Sequence, residues 1–311
     1  MKRVLLVILG VLIAAIAVPP MWFAIFPADA PPTLPPGGKR VVLSDGTGLN
    51  VLDSGQGAPV VMVHGLPGTG YEWRETQAAL NALGMRAIAY DRVGYGRSDA
   101  RKTGAYTPEG NAAELIGLLE AMDLRDVTVV GWSYGGPTAM TAVMKEPDRI
   151  RRLILVGTGG PDSDDAAPPE PSAMLRFFYS DAVLKWRTAI PPLSVALMKV
   201  LSNAAFSEGP QPDWWLEGVR ANFSRWDTLI TYREEMLGMS SESVMNFDPS
   251  RVAVPTLLLH GDDDRLVPVG VSQYLAARIP DARLVEYPGA SHMLPVTHAR
   301  EIAAEIVSFG R

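Results

Sequence analysis

The segment Val127-Thr128-Val129-Val130-Gly131-Trp132-Ser133-Tyr134-Gly135 decides the fold of this chain. Its first four residues are typical of a buried strand, and a serine between glycines follows at once. We predict a tight strand-to-helix turn here, because the glycines let neighbouring backbone pass where a Cβ would clash. On such a turn the hydroxyl of Ser133 projects from the sheet toward whatever lies above it.

From Val41 onward, short apolar runs alternate with amphipathic stretches, which predicts an α/β fold with a mostly parallel sheet flanked by helices. The eight predicted strands, the first two forming an antiparallel hairpin, are Val41–Leu43, Leu49–Leu52, Val60–Val63, Arg86–Tyr90, Val127–Val130, Leu153–Val156, Thr256–Leu259 and Arg283–Tyr287. Right-handed crossovers would place the carboxyl ends of the parallel strands along one edge, where ligands bind in open α/β sheets.

About a hundred residues separate Val156 from Thr256, far more than an ordinary connecting loop contains. Several stretches within this interval have helical patterns, so we predict an inserted helical cap over residues 161–249. The core domain then consists of residues 37–160 and 250–311. Aromatic side chains of the predicted cap could line an apolar pocket, although packing onto the core is the simpler interpretation for any one of them.

Residues 1–36 are predicted to form a hydrophobic signal-anchor and a Pro-rich spacer. No residue from 4 to 26 is charged, and such a helix is long enough to cross a hydrocarbon core of roughly 30 Å. Lys2 and Arg3 would keep the short tail inside, so we expect a membrane-anchored protein with its catalytic domain outside the cytoplasm. A signal peptide cleaved near residue 30 is the alternative, which would make the protein secreted or periplasmic.

Composition excludes several classes of function. The net charge of -6 supplies no basic surface, so nucleic acid is not expected as a partner. The absence of cysteine excludes disulfides, thiolate metal sites and cysteine nucleophiles. The four histidines lack a close-spaced pair with an acidic third ligand, so no metal is expected. The glycine-rich runs match neither a P-loop nor a complete dinucleotide fingerprint, so no cofactor is expected.

A serine hydroxyl needs an adjacent base to become nucleophilic at neutral pH. His292 follows the last predicted strand in a loop at the carboxyl edge of the sheet, where a general base could reach Ser133. The alternative, a histidine in a surface loop, stays open from position alone. His260 ends a strand and is expected to be buried with a structural hydrogen bond. His298 lies at the start of the last helix, and His64 belongs to the run His64-Gly65-Leu66-Pro67-Gly68.

A carboxylate must fix the tautomer of the base and stabilise the imidazolium that forms. Three consecutive acids, Asp262, Asp263 and Asp264, follow a predicted strand and are all candidates. Here the chain resembles the α/β-hydrolase family, in which a G-x-x-D-x-x-x-P segment follows this strand. Gly261, Asp264 and Pro268 match that segment, so the resemblance implies that Asp264 is the acid.

The resemblance covers roughly residues 40–311. The segment 91–98 is similar to the family's D-x-x-G-x-G-x-S loop, which we interpret as a structural turn, and His64-Gly65 matches its HG dipeptide. Ser133, Asp264 and His292 occur in the family order of nucleophile, acid and base. A serine at position 133 argues against the relatives that use an aspartate nucleophile, such as haloalkane dehalogenases and soluble epoxide hydrolases.

The negative charge that develops on a tetrahedral oxygen must meet preorganised donors. Tyr134 follows the predicted nucleophile at the start of a helix, so its backbone N–H is one expected oxyanion donor. The other is the N–H of Leu66, which follows His64-Gly65, because Pro67 has no N–H to donate. The alternative interpretation of this run is a tight glycine-containing turn with no catalytic role, and the presence of Ser133 and His292 argues against it.

We therefore predict a serine hydrolase that cleaves carboxylic ester or related acyl bonds of a small apolar substrate through an acyl-enzyme. One alternative is a hydrolase that cleaves the carbon–carbon bond of a β-diketone-like ring-cleavage product, because the run Thr158-Gly159-Gly160-Pro161 and the aromatic cap weakly resemble such relatives; a perhydrolase is a lesser one. From another class, a membrane-tethered ligand-binding protein could retain a hydrolase fold, since fold does not dictate function.

Overall fold

The computed structural model describes residues 36–101, 106–163, 172–188, 202–238 and 248–310, with a few isolated positions outside these ranges. The described residues form an eight-stranded sheet, as the sequence predicts. Its strands are β1 (Lys39–Val42), β2 (Gly48–Gly55), β3 (Pro59–Val63), β4 (Arg86–Tyr90), β5 (Val127–Trp132), β6 (Ile150–Val156), β7 (Thr256–Gly261) and β8 (Ala282–Tyr287). Their spatial order is β1-β2-β4-β3-β5-β6-β7-β8.

The sheet is mostly parallel. Strand β2 pairs antiparallel with β1 and with β4, and every later pairing is parallel. In this register Val63 lies opposite Gly131, and Trp132 lies opposite Val156. The residues that follow β3, β5 and β6 therefore emerge side by side at the carboxyl edge of the sheet.

Helices cover both faces of the sheet. They are α1 (Arg74–Ala82), α2 (Pro108–Ala121), α3 (Gly135–Lys145), α4 (Ala173–Phe178), α5 (Asp181–Thr188), α6 (Asp213–Phe223), α7 (Trp226–Gly238), α8 (Val269–Arg278), α9 (Leu294–Thr297) and α10 (Ala299–Phe309). Successive residues of a strand point to opposite faces. Val61 and Val63 accordingly belong to one apolar cluster with α2, α3 and α8, whereas Val60 and Met62 belong to a second cluster with α1 and α10.

The interval between β6 and β7 contributes helices α4 to α7, which agrees with its helical patterns. Trp215 and Phe223 of α6 are buried in the same apolar cluster as Trp132 of the sheet. By contrast, Phe177 and Phe178 of α4 are exposed. The domain boundaries at residues 160/161 and 249/250 stay a prediction, and most of residues 189–201 lie outside the described residues.

The prediction of a membrane-anchored protein, and with it the membrane as a partner, is corrected by the structure. In the described part of the chain no helix has both the length and the apolar character needed to cross a bilayer. The longest of these helices, α2, has 14 residues, whereas a span needs about 20. Residues 4–26, on which the prediction was based, lie outside the described residues except for Val18 and Met21. The predicted anchor helix is therefore not shown.

Candidate active site

Ser133 lies on the turn between β5 and α3 with a φ of 54°. This left-handed conformation is uncommon for a residue with a Cβ, and it persists only where the surroundings hold it. Here the N–H of Ser133 donates to the carbonyl of Val156 (3.0 Å), and its carbonyl accepts from Gly136 (2.9 Å) and Gly159 (3.2 Å). The turn predicted from the sequence is thus fixed by backbone hydrogen bonds on both sides.

The two glycines that flank the turn meet backbone on which a methyl group would collide. A Cβ on Gly131 would lie 2.4 Å from the carbonyl oxygen of Gly135. A Cβ on Gly135 would lie 2.5 Å from the carbonyl oxygen of Val63 on the neighbouring strand. Close approach of strand, turn and helix is therefore the physical reason for glycine at these positions.

His292 and Asp264 form a hydrogen-bonded pair. His292 lies in the loop between β8 and α9, and its Nδ1 is 2.6 Å from Oδ2 of Asp264. Because a carboxylate oxygen can only accept, Nδ1 carries a proton, and in the neutral form of the ring Nε2 is the basic nitrogen. Both side chains are buried. This is the tautomer that a general base acting through Nε2 requires.

Asp264 is held on both carboxylate oxygens. Its Oδ1 accepts from the N–H groups of Leu266 and Val267, each at 2.9 Å. Burial alone would raise the pKa of Asp264, but hydrogen bonds from His260 and His292 outweigh it and keep the pKa below its ordinary value of 3.8. The carboxylate is therefore ionised at neutral pH.

The two neighbouring acids have other partners. Asp263 is half-exposed and pairs with Arg265 at 3.1 Å. Asp262 is exposed, and its Oδ1 accepts from the N–H of Gly289 at 2.6 Å. Of the three consecutive acids, Asp264 is the one that contacts His292.

His260 contributes a contact that the sequence did not indicate. Its Nε2 lies 3.0 Å from the carbonyl oxygen of Val267 and 3.3 Å from Oδ2 of Asp264. Its Nδ1 lies 2.6 Å from the hydroxyl of Ser272. The prediction of a buried strand-end histidine with a structural hydrogen bond agrees with this geometry, yet position alone could not show that Asp264 is among its neighbours.

Trp132 and Gly157 bring the Ser133 turn next to the His292–Asp264 pair. The indole Nε1 of Trp132 donates to the carbonyl of His292 at 3.0 Å. A Cβ on Gly157, the residue after Val156, would lie 3.4 Å from both Asp264 Oδ2 and His292 Nδ1. The ends of β5 and β6 therefore meet the loops after β7 and β8, while proton transfer between Ser133 and His292 stays a prediction.

The run from His64 to Gly68 passes close to Ser133. A Cβ on Gly65 would lie 3.1 Å from the Cβ of Ser133. His64 is fully buried: its Nε2 accepts from the N–H of Arg92 (3.0 Å), and its Nδ1 is 2.9 Å from the Gly65 carbonyl. Burial, and then the charge of Arg92, hold the pKa of His64 well below 6.5, so this ring is neutral. The bond between Leu66 and Pro67 is cis.

A fully buried ion pair lies beside this loop. The guanidinium of Arg92, which follows β4, pairs with the carboxylate of Glu235 in α7, and neither side chain is exposed to solvent. Asn111 and the hydroxyl of Tyr95 also donate to that carboxylate, at 2.7 and 2.8 Å. Arg92 lies in the D-x-x-G-x-G-x-S match, but no signal in the sequence distinguishes Glu235 from the other acids of its helix.

Asp91, the first residue of that match, has a structural role. Its carboxylate accepts from the N–H groups of Gly70 and Arg97, both at 2.8 Å, and from the side-chain amide of Asn50 at 2.8 Å. Nearby, the N–H of Gly96 donates to Asn222 of α6 at 3.1 Å. The interpretation of this segment as a turn that shapes the edge of the sheet is consistent with these bonds.

A narrow cavity of about 20 Å³ separates this edge from α6. Its walls include Pro67, Thr69 and Glu72 on one side and Trp214, Trp215 and Phe223 on the other. Two aromatic residues of the predicted cap, Trp214 and Trp215, thus line this cavity. Within the described residues, no group of three histidine or acidic side chains is arranged to hold a metal ion.

Comparisons with known proteins give consistent matches. A family model described as the alpha/beta hydrolase fold matches residues 58–299. A non-heme haloperoxidase from Rhodococcus erythropolis is 30% identical over 277 residues, covering 86% of this chain and 98% of that protein. A 2-hydroxy-6-oxononadienedioate/2-hydroxy-6-oxononatrienedioate hydrolase from Paraburkholderia xenovorans is 28% identical, covering 87% of this chain and 94% of that protein.

Solved structures agree with these matches. An esterase from Thermogutta terrifontis aligns with a TM-score of 0.69 and 25% identity, covering 88% of this chain and 97% of that one. The relatives thus share the fold over nearly their whole length while differing in the activities for which they are named.

Proposed function

The chain belongs to the α/β-hydrolase family, and on that premise we propose that it is a serine hydrolase that cleaves carboxylic ester bonds of a small apolar substrate. Ser133 is the proposed nucleophile, His292 the base and later the acid, and Asp264 the residue that orients His292. The observation that supports this most is the 2.6 Å pair of Asp264 and His292 beside a serine held at a φ of 54°.

In the proposed mechanism, Oγ of Ser133 attacks the ester carbonyl while its proton passes to Nε2 of His292. The oxyanion accepts hydrogen bonds from the backbone N–H groups of Leu66 and Tyr134. His292 then protonates the leaving alcohol as the carbon–oxygen bond breaks, which leaves an acyl group on Ser133. Water, deprotonated by His292, attacks this acyl-enzyme and releases the carboxylic acid and the free serine.

The preference for an apolar substrate is proposed from the predicted cap. Tryptophans 214 and 215 of α6 face the run Pro67–Thr69, next to the proposed oxyanion donor Leu66. Ligand sites are lined mainly by apolar and aromatic side chains, with a few polar groups that fix orientation. The described cavity has room for about one water molecule, so we propose that α6 moves when an ester binds.

A fluorophosphonate probe, which phosphonylates activated serines, tests the assignment. The wild-type protein should be labelled, and Ser133→Ala should not be labelled while keeping its circular dichroism spectrum. Ser163→Ala, which removes a hydroxyl from an exposed turn after β6, should be labelled like the wild type. Undiminished labelling of Ser133→Ala would refute the nucleophile.

A second candidate, hydrolysis of a carbon–carbon bond, is favoured by the similarity to the Paraburkholderia xenovorans hydrolase. Turnover of p-nitrophenyl esters of increasing chain length, compared with turnover of a vinylogous β-diketone, distinguishes the two activities. We expect kcat/KM to be higher for a short ester. Negligible turnover of either class together with tight binding would instead favour a ligand-binding protein.

A further inference from the structure

We propose that Arg92 is a positioning residue for the oxyanion hole: its guanidinium holds the Gly65 carbonyl, and thereby aims the Leu66 N–H of the same peptide unit. Glu235, from the interval between β6 and β7, holds Arg92 in place. This inference rests on the proposed function, because the donor role of Leu66 is part of it.

Two side chains hold the peptide unit between Gly65 and Leu66. Nη2 of Arg92 lies 2.9 Å from the Gly65 carbonyl oxygen, and Nδ1 of His64 lies 2.9 Å from the same atom. A peptide unit is planar, and in its trans form the C=O and N–H point in opposite directions. Two donors that fix the carbonyl therefore also fix the direction of the Leu66 N–H.

Gly65 lies close to Ser133, and Arg92 lies close to Tyr134. Gly65 is close enough to Ser133 that a Cβ on it would lie 3.1 Å from the serine Cβ. The ring of Tyr134, whose N–H is the other proposed donor, lies 5.0 Å from Cζ of Arg92. The guanidinium of Arg92 thus contacts the peptide unit that carries one proposed donor and the ring of the residue that carries the other.

The carboxylate of Glu235 keeps the guanidinium of Arg92 in place. Glu235 binds Arg92 through both carboxylate oxygens, and Tyr95 and Asn111 donate to the same carboxylate. Burying such a pair costs desolvation free energy and adds little or no net stability compared with apolar residues. A role in orienting the loop gives this buried pair a function that stability alone does not.

The double variant Arg92→Met/Glu235→Gln tests the proposal, because it removes both charges together and leaves no unpaired ion in the core. Its amide keeps an acceptor for Tyr95 and Asn111. We expect kcat for ester hydrolysis to fall about 10- to 100-fold, less than the 10²–10³-fold loss typical of removing an oxyanion donor, with KM changed much less. In protein labelled with ¹⁵N-leucine, the Leu66 amide resonance should move.

The matched control is Arg101→Met/Glu114→Gln, which neutralises a second buried pair; Arg101 also donates to Asn111, and Glu114 also accepts from the N–H of Val93. A structural role alone predicts similar losses of thermal stability and similar kcat in both double variants, which would overturn the proposal. An unmoved Leu66 resonance would also overturn it.

Two further outcomes separate this proposal from the one on which it rests. If the double variant does not fold, Arg92→Lys keeps a charge for Glu235 but lacks the planar fork that also reaches Gly65, so it should show the same Leu66 shift and kcat loss. If the wild type hydrolyses no ester, the proposed function fails, while the Leu66 resonance still decides whether Arg92 orients this peptide.

Discussion

At the scale of single residues, the choice among three consecutive acids is the sharpest test of the site. Asp264→Asn should lower kcat on the order of 10⁴-fold, because an amide cannot stabilise the imidazolium and favours the wrong tautomer of His292. Asp263→Asn should leave kcat unchanged, since that carboxylate pairs with Arg265. Steady-state kinetics on a p-nitrophenyl ester measure both, and the reverse pattern would show that the wrong acid was chosen.

The lowered pKa of Asp264 determines how its contribution to the free energy of unfolding changes with pH. Its folded-state pKa lies below the ordinary 3.8, so the ionised carboxylate stabilises the fold above about pH 3.8. That contribution is lost as the pH falls through the lower folded-state value. Asp264 therefore does not titrate at about pH 5 to 8, and an acid limb of activity in that range belongs to another group.

The site residues that belong to a sequence motif could be predicted from the sequence. Contacts between residues that are distant along the chain could not. Ser133 and His292 follow predicted strands, and the family pattern selects Asp264 from its neighbours. Glu235 lies 143 positions from Arg92, and only the tertiary structure brings them together. The contact between His260 and Asp264 was equally hidden, because burial of a histidine does not reveal its partner.

At the scale of elements, the turn between β5 and α3 depends on the glycines that flank it, and Gly131 offers the test. Gly131→Ala should destabilise the protein by more than about 1 kcal/mol, because its Cβ would lie 2.4 Å from a backbone oxygen that cannot move without shifting α3. Gly159→Ala is the matched control, since its Cβ would find its nearest neighbours at 3.9 Å. Chemical denaturation and ester turnover measure both variants. Equal stability of the two would contradict this account of the turn.

Strand positions were predicted within a few residues because buried apolar runs are distinctive in this chain. The starts of helices are less distinct. His298 was predicted to lie at the start of the last helix, but that helix, α10, starts at Ala299 after a separate turn, α9, and His298 between them has a φ of -125°, outside the helical range. The first helical segment after β3 begins with a 3₁₀ turn, Gly70–Trp73, before α1. Periodicity places a helix but does not show where a tight turn interrupts it.

At the scale of the whole molecule, the interval between β6 and β7 should unfold together with the sheet. Leu184, Trp215 and Phe223 of this interval share one buried cluster with Trp73 and Trp132, so neither part has a separate apolar core there. Urea transitions followed by tryptophan fluorescence and by far-ultraviolet circular dichroism should coincide. An earlier fluorescence transition would show that this interval unfolds first. Because the chain contains no cysteine, thiol exchange does not complicate the measurement.

The ion pair between Arg92 and Glu235 also limits how this protein can be recombined with its relatives. A chimera that exchanged the residues between β6 and β7 would remove the only carboxylate that binds this guanidinium among the described residues. The resulting protein would bury the charge of Arg92 without a partner unless the donor sequence supplied an acidic residue at the position of Glu235. The helices between β6 and β7 are thus not freely interchangeable, and a replacement segment that changes substrate preference must supply its own carboxylate for Arg92.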